Sequence, residues 1–411
     1  MAADLYNGTL SDRTHPLKIF DAAKSQDRFL NVSAPMVRYS KLAFRQTVHE
    51  YATDLCWTPM ILSKEFNRNN FARDSDLTIS TRGVQPPTIV QFGANSPLEL
   101  ARSSSLAAPF VNGVDLNCGC PQSWACAETL GAALMEQREL VRDMVIETRQ
   151  RLASDGWHVG KERDIDSPKG RSVSVKIRVH KDLRRVPLNP ELLAHILSGT
   201  TMDFIDTVIG NPLNRNIDFL TIHPRTRHTA STTPINTESL GILLEKYGDT
   251  LPILLSGDVF SMATLPLSTV SKAPEEPLEP TLINGHNGYT DFTPSGTKLA
   301  GLMSARGILA NPALYAGFES CPWEAVECFM RHVIRAPMPV KLVQHHLHEM
   351  CGPGMGPDKR ALLNRQERAA LLALENMVDV IDFLDDAINR KTGRTEGLHR
   401  EPRRSSTIHI P

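Results

Sequence analysis

Residues 111–122 read VNGVDLNCGCPQ. The stretch VNGVDLNCG (111–119) alternates apolar and small or polar residues as a strand does, then stops at Gly-Cys-Pro. Gly119 permits an unusual backbone angle and Pro121 fixes the next one, so the strand ends abruptly and Cys120 is held on the turn at its C-terminal end. Similar runs lie on both sides. FLNVSAPMV (29–37), CWTPMIL (56–62) and TIVQFG (88–93) precede it; VSVKIRV (173–179), FLTIHP (219–224), PILLSGD (252–258) and GLMSARG (301–307) follow. Helical patterns separate many of them: about 40–51, then 96–108 with Ser96 as N-cap and Pro97 at N1, then about 129–151. Eight strands in this alternation predict an α/β fold, a (β/α)8 barrel, over a doubly wound open sheet. Polar and reactive residues at successive strand ends (Met36, Cys120, Lys176, His223, Asp258, Arg306) favour the barrel. A barrel gathers all such ends at one mouth, whereas an open sheet gathers only those at its switch point.

Residues 158–172 read as a loop, 200–217 as a lengthened connection, and the proline-containing 263–298 as an insertion. From about Cys321 the pattern is helical with no strand: WEAVECFMRHVI, KLVQHHLHEM and RQERAALLALENMVDVIDFLDDAI. The expected organisation is an N-terminal extension (1–28), a TIM barrel (29–320), a C-terminal helical domain (321–391) and a disordered basic tail (392–411).

The chain has 411 residues, 41% hydrophobic and 22% charged, with a net charge of −1. That composition excludes wholesale disorder, and no apolar run is long enough to span a membrane. Neutrality excludes a bulk polycation, leaving local basic faces such as Lys359, Arg360, Arg365 and Arg368, or the six Lys/Arg against two Glu between Arg390 and Arg404. The seven cysteines are odd in number and scattered, unlike a secreted disulfide framework. The N-terminus has no apolar signal region, so the expected compartment is cytoplasmic or nuclear.

Cys120 on its turn is a candidate nucleophile, acid or ligand, whereas Cys118 reads as a buried small hydrophobe. A zinc site of Cys118, Cys120 and Cys126 lacks a second CxxC pair, and His345, His346 and His348 read as a polar helix face; no metal site is expected. Lys176, inside a β-branched strand, needs an anionic or polar partner. Gly257, Arg306 and Gly307, with His223 and Arg225 nearby, form the kind of set that holds a phosphate at a barrel mouth. Gln91 can bond a heterocycle's carbonyl and ring N–H.

APMV, VQFGA, DLNCGCPQ, VKIRV, TIHPRTR, SGDV and SARGILANP, in this order, resemble the tRNA-dihydrouridine synthase family. The resemblance covers about residues 29–390 and is nearest the eukaryotic branch acting on D-loop positions 20a and 20b. It implies an FMN barrel with a helical tRNA-recognition domain, NADPH or NADH as reductant and tRNA as substrate; neither a membrane nor an obligate protein partner is expected. By motif, Cys120 would protonate C5 of the uracil after hydride reaches C6. Pro35, Met36 and Val37 would line the flavin, Gln91 would bond its edge and Lys176 would sit by N1/C2. His223, Ser256, Gly257, Asp258, Ala305 and Arg306 would surround the ribityl-phosphate. His-Pro-Arg stands where His-Gly-Arg is common, and Ser256 where Asn is usual. The competing expectations are a flavin barrel acting on a free pyrimidine and a non-catalytic tRNA-binding protein on this fold.

Overall fold

A computed structural model describes residues 14–80, 85–159, 167–181, 200–266 and 296–394. Its strands are β1 (Leu30–Ser33), β2 (Leu55–Leu62), β3 (Thr88–Gly93), β4 (Gly113–Cys118), β5 (His158–Val159), β6 (Gly170–Arg178), β7 (Phe219–His223), β8 (Ile253–Ser256) and β9 (Gly301–Ser304). All the pairings are parallel, and β4 pairs with β6 across Gly113–Cys118 and Ser172–Ile177, which closes an eight-stranded barrel. The two-residue β5 lies outside that ring, paired with the start of β6.

The period of two along each strand divides outer from inner side chains. Val114, Leu116 and Cys118 of β4, and Val173, Val175 and Ile177 of β6, face the surrounding helices. The interior is graded. Its lower half is apolar, with Leu30, Val32, Trp57, Ile89, Phe219 and Met303 in one cluster. Its upper half, toward the strand C-termini, holds Gln91, Asp115, Asn117, Ser174, Lys176 and His223. The open lower end is stoppered by α1 (Pro16–Ser25), which buries Leu17, Phe20 and Ala23 in the same cluster, with the Phe20 and Phe219 rings 5.1 Å apart. The N-terminal extension therefore takes part in the barrel core.

Helices α2 (Leu42–Glu50), α3 (Ser63–Arg68), α4 (Asn70–Asp76), α5 (Pro97–Ala107), α6 (Ser123–Ala127), α7 (Arg138–Ser154), α8 (Thr201–Ile209), α9 (Thr237–Tyr247) and α10 (Arg306–Ala310) follow the strands. They are succeeded by α11 (Trp323–Arg335), α12 (Val340–Met350), α13 (Arg365–Ala373) and α14 (Met377–Thr392). The buried apolar residues of α11 to α14 belong to the same continuous cluster as the barrel's outer layer.

Four expectations are corrected. The connection 200–217 contains α8, whose Met202, Phe204, Ile205, Val208 and Ile209 form one buried face, capped by the Thr200 hydroxyl. The long helix starts at Arg138 and not near 129, because Thr129 (φ +55°) and Gly131 (φ +60°) are left-handed and a 3-10 turn (Gly131–Glu136) follows. The helical pattern 365–388 is two helices, since Leu374 turns extended and the Asn376 side chain caps a new start. His346 does not lie on a polar face. It is fully buried between the rings of Tyr39, Phe44 and Phe329, and burial lowers its pKa to about 3. Most of the 263–298 insertion, part of the 158–172 loop and the tail beyond Arg394 lie outside the described residues.

Candidate active site

Cys120 sits two residues beyond β4, and four hydrogen bonds fix its turn. Asn117 Oδ1 accepts from the Gly119 and Cys120 amides at 2.9 and 2.8 Å. The Ala132 amide donates to the Cys120 carbonyl at 2.8 Å. Arg178 Nε donates to the Gly119 carbonyl at 2.7 Å. Gly131 presses against this turn, and a Cβ there would come within 2.5 Å of the Cys120 carbonyl oxygen. The thiol is thus carried on a backbone with little freedom, and Trp124, 44% exposed, stands on the short helix that follows.

The cap on Cys120 is itself anchored in the barrel. Asn117 Nδ2 donates to Gln91 Oε1 at 2.8 Å, Gln91 Nε2 donates to Asp115 Oδ2 at 2.8 Å, and the Ser174 hydroxyl donates to Asp115 Oδ1 at 2.6 Å. The acceptor-only carboxylate fixes the orientation of both amides in sequence. Burial raises the Asp115 pKa, opposed by these hydrogen bonds. Each end of the Gln91 amide is engaged, leaving one N–H and one lone pair for a ligand.

Lys176 pairs in register with Asn117 on one side and Thr221 on the other, and points into the mouth. Among the described residues no carboxylate lies within salt-bridge distance of its ammonium. Burial, then the neighbouring Arg178 charge, lowers its pKa to about 8. Lys176 and Arg178 are two residues apart on one strand and so share its inner face. Both interact electrostatically with Cys120.

On the next strand, His223 is in register with Arg178, and its Nδ1 lies 2.6 Å from the Ser256 carbonyl, so that nitrogen carries the proton and Nε2 is an acceptor. Burial lowers the His223 pKa to about 2, helped by Lys176 and Arg178, which makes the ring neutral. Gly257 has φ +124°, and a Cβ there would meet the His223 ring at 2.9 Å. Arg225 Nη2 donates to both Asp258 carboxylate oxygens (2.6 and 2.7 Å), and Asp258 also accepts from the Ile235 amide. Arg306 reaches the Ser231 carbonyl at 2.9 Å and stacks over Phe260. The Asp258 carboxylate is therefore spent on Arg225, and what this residue can offer an anion is its main chain. Ala305 and Arg306 lie at the start of α10, beside Asp258.

Pro35, Met36 and Val37 follow β1 in a turn and are not part of the strand; Val37 is 52% exposed. The closed barrel puts the C-terminal ends of β4, β6, β7, β8 and β9 on one side, and Cys120, Lys176, His223, Asp258 and Arg306 lie at or just beyond them. A metal set of Cys118, Cys120 and Cys126 is not among the ligand clusters of the described residues, and Cys118 is fully buried. Arg178, Asn117 and Asp115 were not singled out from sequence. The signal was present, since Asp115 and Asn117, like Lys176 and Arg178, are i, i+2 pairs that must share the inner face.

The family model described as dihydrouridine synthase matches residues 32–161. A human protein named as a tRNA-dihydrouridine(20a/20b) synthase-like protein, with NAD(P)+ in its name, is 32% identical over 374 residues, 90% of this chain and 93% of that protein. The tRNA-dihydrouridine(20a/20b) synthases of Saccharomyces cerevisiae and Schizosaccharomyces pombe are 30% and 32% identical, covering 95% and 90% of this chain and 88% and 91% of their own lengths.

Proposed function

From the premise that this chain belongs to the dihydrouridine synthase family, we infer that it reduces the C5–C6 bond of uridines in tRNA, at D-loop positions 20a and 20b, with NADPH or NADH as reductant. The observation that carries this reading is Cys120, locked at the barrel mouth by Asn117 and Arg178 within the field of two cations.

The cofactor we propose is FMN, and the mouth suits it. A half-buried lysine without a carboxylate partner calls for an anion, and Lys176 would hold the electron-rich N1/C2 edge of a flavin and stabilise its reduced, anionic form. Gln91 keeps one donor and one acceptor for the ring edge. Pro35, Met36 and Val37 would line one face. His223, Ser256, Gly257, Asp258, Ala305 and Arg306 would surround the phosphate, with Arg306 as its cation and Asp258 contributing only backbone. The chemistry such a cofactor would supply, once reduced by the nicotinamide, is a hydride for C6 of the uracil.

The remaining work belongs to the chain. Hydride addition at C6 leaves negative charge at C5 and on the C4 oxygen, and the Cys120 thiol can deliver the missing proton to C5. The sulfur becomes a thiolate, which Lys176 and Arg178 stabilise until solvent returns a proton. A target base inside the folded D-loop must leave its stack to reach a barrel mouth, at a cost of about a few kcal/mol. The helices α11 to α14 and the basic tail are proposed to meet the rest of the tRNA, and the protein to work in the cytoplasm or nucleus, where its seven free thiols persist.

The test is dihydrouridine mapping in tRNA from cells lacking the gene. Loss at positions 20a and 20b, restored by the wild-type gene, is expected; unchanged dihydrouridine there would overturn the assignment.

A further inference from the structure

Away from the mouth, the last residue of α2 meets α11 in a compact group of donor atoms. His332 Nε2 lies 2.6 Å from Glu50 Oε1 and Cys328 Sγ 3.1 Å from Glu50 Oε2. One ligand atom from each of the three residues falls within 4.8 Å of the others. Cys328 and His332 are four residues apart on α11 and so occupy one face. Both are buried, His332 with 8% of its side chain exposed, while the Glu50 side chain is 49% exposed. None of these residues takes part in the proposed reaction.

We propose that Glu50, Cys328 and His332 form a zinc site that ties the barrel to the C-terminal helices. Thiolate, imidazole and carboxylate together are a donor set that zinc accepts, and three protein ligands leave a fourth position for water, reached past the exposed side of Glu50. Tetrahedral zinc with ordinary bond lengths sets its ligand atoms about 3.3–3.6 Å apart. The sulfur–oxygen pair needs a small shift and the nitrogen–oxygen pair a larger one. Glu50 supplies both by rotating its side chain at the free end of α2. Coordination sends the Cys328 proton to solvent and moves the His332 proton from Nε2 to Nδ1.

Two features limit the affinity. His332 Nδ1 is buried and has no hydrogen-bond partner among the described residues, so the outer bond that usually supports a zinc-bound histidine is missing. Such partners contribute about 10–100-fold in affinity. Arg331 Nη2 stands 3.9 Å from Glu50 Oε2 and competes with the metal for the carboxylate. The site should therefore bind more weakly than a closed structural zinc centre, and Arg331→Ala should strengthen it.

The experiment is a zinc titration of the full flavin-loaded protein, first stripped with a chelator, with bound metal counted by mass spectrometry in competition with a chelator of known affinity. About one zinc per chain is expected, with binding at least about tenfold weaker in Cys328→Ser and in Glu50→Gln, and tighter in Arg331→Ala. Glu50→Gln alters a half-exposed side chain and can still bond His332, so its fold is retained and its result is readable. No uptake by the wild-type protein, or equal affinity in Cys328→Ser and Glu50→Gln, would overturn the proposal and leave an ion pair in its place.

Discussion

Asn117 shows how one side chain can do two jobs on opposite ends. Its oxygen caps the Cys120 turn, and its nitrogen hangs that turn from Gln91 and Asp115 inside the barrel. Gly131 seals the turn from the other side, at φ +60° with no room for a Cβ. Gly131→Ala should destabilise the protein by at least about 1–2 kcal/mol, the cost of a left-handed side-chain residue, and displace Cys120. Denaturant unfolding and turnover should fall together; unchanged turnover would show that Cys120 tolerates movement. Lys176 makes a second test at this scale. An anion beside it favours the charged lysine, so FMN binding should be pH-independent below about 8 and weaken about tenfold per pH unit above it. Lys176→Met should bind FMN more weakly and lose that bend in a fluorescence titration. An unchanged bend would assign the proton to another group.

At the scale of elements, strands were more legible than helices. Thr88–Gly93 was read to the residue, and each of the eight expected barrel strands is present, because β-branched runs ended by Gly, Pro or Asp are short, distinct signals. The candidate site was legible for the same reason, as its residues punctuate strand ends. The reading weakened where boundaries depend on caps and left-handed residues. Thr129 and Gly131 delay α7, and Asn376 splits the last helix, yet neither interrupts the apolar periodicity. It also missed partners such as Arg178 and Asp115, whose roles emerge only when β4 and β6 pair. The stopper helix α1 lies in what the sequence shows only as an extension, since ten residues do not announce what they bury. Phe20→Ala should cost about 3 kcal/mol or more of unfolding free energy by removing a buried ring from the barrel floor. A loss under about 1 kcal/mol would mean that the floor is sealed without it.

For the molecule as a whole, the C-terminal helices share a core with the barrel, and their contact has a pH signature. His346 of α12 is buried between Tyr39, which follows β1, Phe44 of α2 and Phe329 of α11. Its native pKa of about 3 lies below the unfolded value of 6.5. Between those values the unfolded chain takes up a proton that the native chain refuses. Stability is therefore complete above pH 6.5 and falls below it by up to about 1.4 kcal/mol per pH unit until about pH 3. His223, lowered to about 2, acts in the same direction. Replacing His346 with Phe should flatten this slope in denaturation between pH 6 and 4, and an unchanged slope would place the acid sensitivity elsewhere. The overall charge of −1 also acquires a structural meaning. Arg390 and Lys391 pair with Glu367, and Arg394 with Glu324 and Glu327. These pairs are each worth about 0–1 kcal/mol, so the cations of this face can be released to an anionic partner at small cost.

Whether Cys120 gives the proton at C5 is decided by a single-turnover reaction of the pre-reduced, flavin-loaded Cys120→Ala protein with unmodified tRNA. If Cys120 is the proton donor, flavin reduction by NADPH stays normal and dihydrouridine formation slows by at least about a hundredfold. Dihydrouridine appearing at the wild-type rate in that variant would contradict it.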